Sequence, residues 1–219
     1  MPNWVYNGLT IEGSPDSVKK LMEQMNKPFV MLHDNWNTDT GKMEVTQTTY
    51  PNPVFAFHNI YNHTQAGITD EQYLKQPEHT LPLQEAMKFQ GNHWYDFNVR
   101  EWGTKWDVAV SSNDTNPDTY MEDTVNGENH VVYYNFNTAW SRPMPALIKL
   151  SNQYPDLLFT LSYEEETGWG GELELLRGEI ISESEYDTMC RECDETDCME
   201  YKEDTGNEVC TKCGYGDEE

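Results

Sequence analysis

The opening residues alternate between apolar and polar positions and then switch to a helical period. Over residues 5–11, every second position falls on one side of an extended chain, and Asn7 is the polar exception on that side. Gly13 ends this predicted strand, and Ser14 followed by Pro15 is typical of a helix N-cap with proline in the first turn. The helix that follows has one apolar stripe at helical spacing, formed by Val18, Leu21, Met22 and Met25. The chain therefore begins with a strand, a tight turn and a helix.

The clear periodicity breaks down between residues 26 and 91, where prolines, asparagines and threonines are frequent. A stretch of that length without a regular pattern is uncommon inside a compact domain and indicates an insertion. Within it we expect a buried strand over residues 54–58 and helices over residues 69–74 and 83–89. We place the insertion at about residues 27–92.

Regular patterns return with an aromatic-rich stretch, in which Trp94, Phe97 and Glu101 fit a helix that Gly103 ends. The later predicted elements are a strand over residues 106–110, a polar acidic loop over 111–127, a strand over 130–136, a helix that Ser141 caps with Pro143 and Pro145 in its first turn, a strand over 157–163 and one trailing strand over 168–181. The order is strand, helix, insertion, strand, strand, helix, strand. It predicts an α+β domain of the ferredoxin-like split β-α-β type.

Two C-x-x-C pairs lie within the last thirty residues: Cys190 with Cys193, and Cys210 with Cys213. Sixteen residues separate the pairs. Each short loop allows two sulfurs to reach one ion about 2.3 Å away, as a tetrahedral four-thiolate site requires. We predict a structural zinc ion held by these four cysteines in a small zinc ribbon over residues 181–219, after a first domain over residues 1–180. Metal binding would supply most of the ribbon's folding free energy, on the order of 10 kcal/mol.

Disulfides and an iron site are two other uses of these cysteines. Two disulfides would suit a secreted chain, but the N-terminal residues 1–13 read as a strand and not as a signal segment. An iron site of the rubredoxin type uses the same four ligands, so spacing alone does not separate zinc from iron. We favour zinc because no redox partner is indicated. The fifth cysteine, Cys198, could replace a member of the first pair, and we interpret it as a bystander.

The net charge of the chain narrows the classes of partner that the protein can bind. The chain has 39 acidic residues against 14 lysines and arginines, a formal net charge of −25 over 219 residues. Direct nucleic-acid binding needs the opposite sign, because lysine and arginine displace counterions from the phosphates. The acidity fits either a solvated surface or a field that attracts a basic protein and imitates nucleic acid. The apolar runs are too short to span a membrane, and we expect a cytoplasmic protein.

Several segments of the sequence resemble one known family. They are Pro2-Asn3-Trp4 with Asn7 and Leu9, Trp94-Tyr95, Trp102-Gly103-Thr104-Lys105-Trp106-Asp107, Thr138-Ala139-Trp140-Ser141 with Pro143 and Pro145, the stretch 155–163, Glu165, and the stretch 168–171. Together they are similar to the YubB-like ferredoxin-fold domain family of phage and plasmid proteins, over most of residues 1–180. The resemblance implies a ferredoxin-like fold and an origin in a mobile element. It implies no catalytic residues.

The tryptophans of these motifs have two physical interpretations. They could pack in the core and fasten the insertion to the sheet. Alternatively, Trp102 and Trp106 could form the walls of a pocket suited to a small planar ligand such as a nucleotide. Its polar groups would be Lys105, Asp107 and Arg142. No glycine-rich phosphate loop, G-x-S-x-G or H-E-x-x-H motif occurs, so the sequence indicates no enzyme class.

These observations combine into one functional hypothesis. We expect a non-enzymatic accessory protein of a phage or other mobile element that acts in the host cytoplasm. It would bind and inhibit a host protein with a basic surface, as counter-defence by acidic imitation of nucleic acid. The alternatives are a nucleotide or small-ligand binder or enzyme, and a nucleic-acid-associated regulator that uses the ribbon.

Overall fold

The computed structural model describes residues 3–74, 91–108, 119–203 and 206–216. In chain order the described elements are β1 (Trp4–Gly13), α1 (Pro15–Met25), β2 (Phe29–Asn37), β3 (Lys42–Tyr50), a 3-10 helix (Phe57–Asn59), α2 (Asp70–Leu74), α3 (Trp94–Glu101), β4 (Tyr120–Asn126), β5 (Asn129–Ala139), α4 (Met144–Gln153), β6 (Leu158–Glu165), β7 (Gly170–Leu176), β8 (Glu179–Tyr186), β9 (Met199–Lys202) and β10 (Asn207–Cys210). None of the helices in these ranges is long and apolar enough to cross a membrane.

The main sheet has six strands in the order β4-β5-β1-β6-β7-β8, and every neighbouring pair is antiparallel. Its first four strands, joined through α1 and α4, form the split β-α-β plait, in which β5 lies between β1 and β4. The predicted α+β ferredoxin-like fold is therefore confirmed. The trailing segment is a hairpin of β7 and β8 where one strand was predicted.

Both helices of the plait cover the same face of the sheet. On β1 the side chains of Val5, Leu9 and Ile11 are fully buried at alternate positions, as the alternation predicted. They meet the apolar stripes of α1 and α4, and burial of each such side chain is worth about 1.5–3 kcal/mol. Ser14 caps α1 by accepting a hydrogen bond from the Ser17 N–H at 3.3 Å, which confirms the predicted helix start.

Asn7, the polar exception on β1, is fully buried among these apolar residues. Its side-chain amide donates to the Val5 carbonyl at 2.8 Å, the Phe136 carbonyl at 3.2 Å and the Thr138 hydroxyl at 3.0 Å. These bonds tie β1 to β5 and offset the cost of burying the amide N–H groups, while the Asn7 Oδ1 has no hydrogen-bond partner among the described residues.

The insertion contains more regular structure than the sequence indicated. β2 and β3 pair as a separate antiparallel hairpin that was not predicted. The predicted strand over residues 54–58 is wrong, because Phe57–Asn59 is a 3-10 helix. The Asp107 carboxylate holds that turn by accepting from the N–H groups of Phe57 and His58 at 2.7 and 2.8 Å. The helix predicted over residues 69–74 is confirmed as α2, and the one over residues 83–89 lies outside the described residues.

Three predictions in the second half need correction. Residues 106–108 form no strand, and the remainder of the strand predicted over 106–110 lies outside the described residues. The loop predicted over 111–127 contains β4, which pairs with β5 through a two-residue turn where Gly127 has a φ of +64°. The Ser141 cap is wrong because its hydroxyl donates to the Gly103 carbonyl, and Pro143 precedes α4 instead.

Candidate functional site

The C-terminal segment folds as two similar turns around the short β9–β10 hairpin. In the first turn the Asp194 N–H donates to the Cys190 carbonyl at 2.8 Å, and in the second the Gly214 N–H donates to the Cys210 carbonyl at 2.9 Å. Asp194 and Gly214 also share a left-handed backbone, with φ values of +56° and +77°. The two C-x-x-C pairs thus adopt equivalent loops, each of which turns its two sulfurs toward the other pair.

The four sulfurs of these turns converge. Cys190 lies 3.6 Å from Cys213, and Cys193 lies 3.8 Å from Cys210, measured between Sγ atoms. All four ligand atoms lie within 4.8 Å of one another, and every cysteine is free. Tetrahedral bonds of about 2.3 Å place sulfurs about 3.8 Å apart, whereas a disulfide needs about 2.05 Å. Four C-terminal cysteines are therefore positioned to bind a metal ion.

Backbone donors favour the thiolate form of one member of this set. The N–H groups of Cys213 and Lys212 point at the Cys210 sulfur at 3.5 and 3.4 Å. The Cys213 N–H contributes most to lowering the pKa of the Cys210 thiol to about 6, against the opposing effect of burial. Since the thiolate is the form that binds metals, Cys210 is ready to act as a ligand near neutral pH.

Cys198 lies beside the four-sulfur set and outside it. Its Sγ is 3.4 Å from the Cys210 Sγ and donates to the Glu195 carbonyl at 3.0 Å. The side chain is buried, with 3% exposed. With its S–H directed at Glu195, the Cys198 thiol packs against the site beside the Cys210 sulfur.

The predicted pocket residues fall into separate environments. Trp102 is 1% exposed and packs in the core, where its indole N–H donates to the Tyr61 carbonyl at 2.7 Å. The Lys105 ammonium lies 4.5 Å from the ring centre of Trp106 and 4.9 Å from that of Trp140. The structure thus brings Lys105 and Trp106 together and places Trp102 in the core.

Arg142, the fourth predicted pocket residue, forms ion pairs with the edge strand β8 of the main sheet. Its guanidinium contacts carboxylate oxygens of Glu183 and Glu185 at 3.0 and 2.9 Å and donates to the Tyr163 hydroxyl. Burial is the first cause that raises the pKa of Tyr163, followed by its hydrogen bond to Glu185. These contacts join β6 and β8 to the loop before α4.

A cavity of about 420 Å³ lies between the β2–β3 hairpin and α3, next to Trp106. Its lining includes Asp107 and the aromatic residues Tyr73 and Trp94. His33 also lines it, and burial lowers the pKa of that imidazole. The cavity is large enough for a small planar molecule.

The main sheet carries one sign of charge. Its six strands contain no lysine or arginine, and they hold ten acidic residues: Glu12, Glu122, Asp123, Glu164, Glu165, Glu172, Glu174, Glu179, Glu183 and Glu185. We call the side of the sheet opposite α1 and α4 the outer face. Alternation and strand register place six of these acids there: Glu12, Glu122, Glu164, Glu172, Glu174 and Glu179.

Sequence reasoning missed the outer face as a site. The signal was present as acids at alternate positions, such as Glu172 and Glu174 within β7. Without β4 and the strand register, these acids could not be assigned to one surface.

Comparison with known proteins supports the fold of the second half. Residues 105–206 match a family model described as a ferredoxin-like domain in Api92-like protein, which covers less than half of the chain. The crystal structure of a protein api92 from Yersinia pseudotuberculosis aligns with 10% identity and a TM-score of 0.45, over 87% of this chain and 100% of that one. No curated protein matches the sequence.

Proposed function

We propose that this is a non-enzymatic binding protein whose acidic outer face and ribbon bind a basic surface on another protein. The observation that carries the proposal is the main sheet, whose strands hold ten acids and no lysine or arginine. A surface of one sign accelerates the encounter with a partner of opposite sign and disfavours partners of like charge. The partner is therefore a protein rich in lysine or arginine.

The same face argues against nucleic acid as the direct ligand. Ferredoxin-like sheets that bind RNA stack bases on aromatic residues of the sheet and surround them with basic groups. Here Tyr6 and Tyr133 lie on the outer face of the two central strands, but Glu164 and Glu122 are their cross-strand neighbours. Carboxylates in those places repel the phosphates of nucleic acid. To a protein that binds nucleic acid, the same carboxylates resemble phosphates.

The biological setting that we propose follows from the sequence resemblance. The similarity to YubB-like proteins of phages and plasmids favours an origin in a mobile element. The target is then a host protein in the host cytoplasm that normally grips nucleic acid, and binding would inhibit it as a form of counter-defence.

Zinc is the ion that we propose for the ribbon, which follows the main-sheet strand β8 (Glu179–Tyr186) and so begins later than residue 181. Four thiolates suit zinc in a structural site without an open position. Zn²⁺ with four thiolates keeps a charge of about −2, so metal binding leaves the ribbon acidic. The ion would hold the fold of the ribbon and take no part in chemistry.

The test is an affinity pull-down of the full-length tagged protein from host lysate at low and moderate salt. We expect capture of a basic protein that weakens as salt rises. The triple variant Glu122→Gln, Glu172→Gln and Glu174→Gln should lose that protein. A matched control, Glu23→Gln, Asp39→Asn and Asp96→Asn, removes three exposed carboxylates away from the outer face and should keep it. Equal capture by both variants would contradict the proposal.

A second candidate function is supported by the cavity beside Trp106. Its aromatic lining and its volume of about 420 Å³ suit a nucleotide or another small planar ligand. A thermal shift assay with nucleotides tests this, because a ligand at one hundred times its Kd adds about 2.7 kcal/mol of stability. Unchanged melting with every nucleotide would reject it.

A further inference from the structure

A trough crosses the outer face because one row of cross-strand neighbours consists mainly of small side chains. Gly8 of β1 pairs with Asn135 of β5 on one side and with Ser162 of β6 on the other. Ser162 pairs with Glu172 of β7, and Glu172 pairs with Ser184 of β8. Adjacent strands lie about 4.8 Å apart, so five strands give a floor about 19 Å long.

Aromatic and acidic side chains border this floor. The neighbouring row consists of Tyr6, Glu164, Gly170 and Tyr186. Tyr6 is 48% exposed, and the Tyr186 hydroxyl lies over Gly170, 2.5 Å from where a Cβ would stand. Burial, and then the charge on Glu164, raises the pKa of Tyr186, which agrees with their closeness across the strands.

Tyr133 borders the trough from the opposite side. A Cβ on Gly8 would stand 2.9 Å from the Tyr133 hydroxyl and 2.8 Å from the Ser162 hydroxyl. Any larger residue at position 8 would therefore collide with Tyr133 and Ser162 and displace them from the border of the trough. The resulting cavity has a volume of about 430 Å³, within the range of ligand sites.

We infer that the trough binds an arginine side chain of the basic partner. The inference rests on the proposed function and names the group that the outer face recognises. The carboxylates of Glu164 and Glu172 supply the acceptors for a guanidinium, and the rings of Tyr6, Tyr133 and Tyr186 supply faces on which it can stack.

Arginine fits this lining better than lysine does. A guanidinium is planar, carries its charge over a wide area and is weakly hydrated, so it stacks on tyrosine and bonds to a carboxylate at the same time. An ammonium is compact and strongly hydrated, and it gains less from the aromatic wall. A diffuse acidic surface without a trough would not distinguish the two.

The experiment measures binding of fluorescent octa-arginine and octa-lysine peptides to the full-length protein by anisotropy at low salt. We expect octa-arginine to bind about fivefold more tightly. Gly8→Val changes no charge but displaces Tyr133 and Ser162 from the trough, so the preference should fall to about one. Tyr6→Ala, which removes one exposed wall, should reduce the preference even if Gly8→Val disturbs the fold.

A matched pair of double variants distinguishes binding in the trough from attraction by the overall negative charge of the outer face. Glu164→Gln with Glu172→Gln should weaken octa-arginine binding by about tenfold, and Glu12→Gln with Glu122→Gln, on the same face outside the trough, by about twofold. Equal losses for the two pairs, or no preference for arginine in the wild type, would overturn the trough and leave the proposed function intact. If neither peptide bound, the proposed function itself would fail.

Discussion

At the scale of single residues, the two tryptophans of the Trp102-Gly-Thr-Lys-Trp106 motif have different roles. Trp102 is 1% exposed and bonds to the insertion through the Tyr61 carbonyl. Trp106 is 39% exposed and lies beside Lys105. The sequence left core packing and a pocket wall open for both, since a tryptophan pattern carries no information about which ring faces solvent.

This difference predicts unequal mutational effects. Trp102→Ala should lower the free energy of unfolding by about 3–5 kcal/mol, because it leaves a large cavity in the core. Trp106→Ala should cost about 1 kcal/mol, because it removes a part-exposed ring and a cation–π contact. Urea unfolding of both variants checks the prediction, and equal losses would contradict it.

The fifth cysteine gives a second residue-scale prediction. Cys198→Ser should keep one metal ion per chain, since the four converging sulfurs do not include Cys198. Cys210→Ser should lose the ion, since it removes one of the four ligands. Metal analysis of the purified variants measures this. Loss of metal from the Cys198 variant would show that it is a ligand.

His58 predicts how stability responds to acid. Burial is the main cause that lowers the pKa of His58 to about 4, while the unfolded chain keeps the ordinary value of about 6.5. Between these values the unfolded state binds more protons, so stability falls as pH falls from 6.5 toward 4. The loss at pH 5 is about 2 kcal/mol.

A matched variant separates the effect of His58 on the pH dependence of stability from that of the many carboxylates. His58→Phe keeps a ring against Phe29, whose centre lies 4.3 Å from the imidazole, and it does not titrate. Chemical unfolding at pH 7 and pH 5 should therefore show a smaller loss in the variant than in the wild type. An identical pH dependence would exclude His58 as the cause.

At the scale of elements, local signals were enough for some segments and not for others. β1 and α1 were predicted because alternation, Ser14 and Pro15 act within the segment itself. β4 was missed because its residues are mostly polar, and it is a strand through its pairing with β5. Gly127 was the available signal, since glycine at the first position of a two-residue hairpin turn favours a tight turn of the kind seen between Asn126 and Asn129.

The candidate sites also differ in whether local sequence signals are enough to predict them. The four-cysteine set could be predicted because ligand spacing is local to each C-x-x-C loop. The trough could not, since its floor joins Gly8, Ser162 and Ser184, which lie far apart in the chain and meet only through strand register.

The ribbon predicts an element-scale response to chelation. The small β9–β10 unit has a buried cluster made mainly of cysteines, in which Cys190, Cys198 and Cys210 are buried, while the main sheet has its own core. EDTA should therefore unfold residues 190–213 and leave the plait folded. Amide hydrogen exchange should accelerate at Val209 and Tyr201 but not at Leu9 or Leu161. Protection of all four amides after metal removal would contradict this account.

At the scale of the whole molecule, charge and fold act together. A plait exposes one face of its sheet, and in this chain that face carries acids from several strands. The ribbon adds further acids and contacts the plait where the Arg191 guanidinium donates to the Glu166 carbonyl at 2.8 Å. Folding thus gathers part of the net charge of −25 on one face of the sheet, whose strands contain no lysine or arginine.

The most direct test of that account is competition for the captured partner. Immobilised full-length protein is loaded with the basic protein from the lysate and then exposed to increasing concentrations of duplex DNA. If the outer face imitates nucleic acid, DNA should displace the partner, and the protein should in turn release the partner from DNA. A partner that binds DNA and this protein at the same time, without mutual displacement, would contradict the central claim.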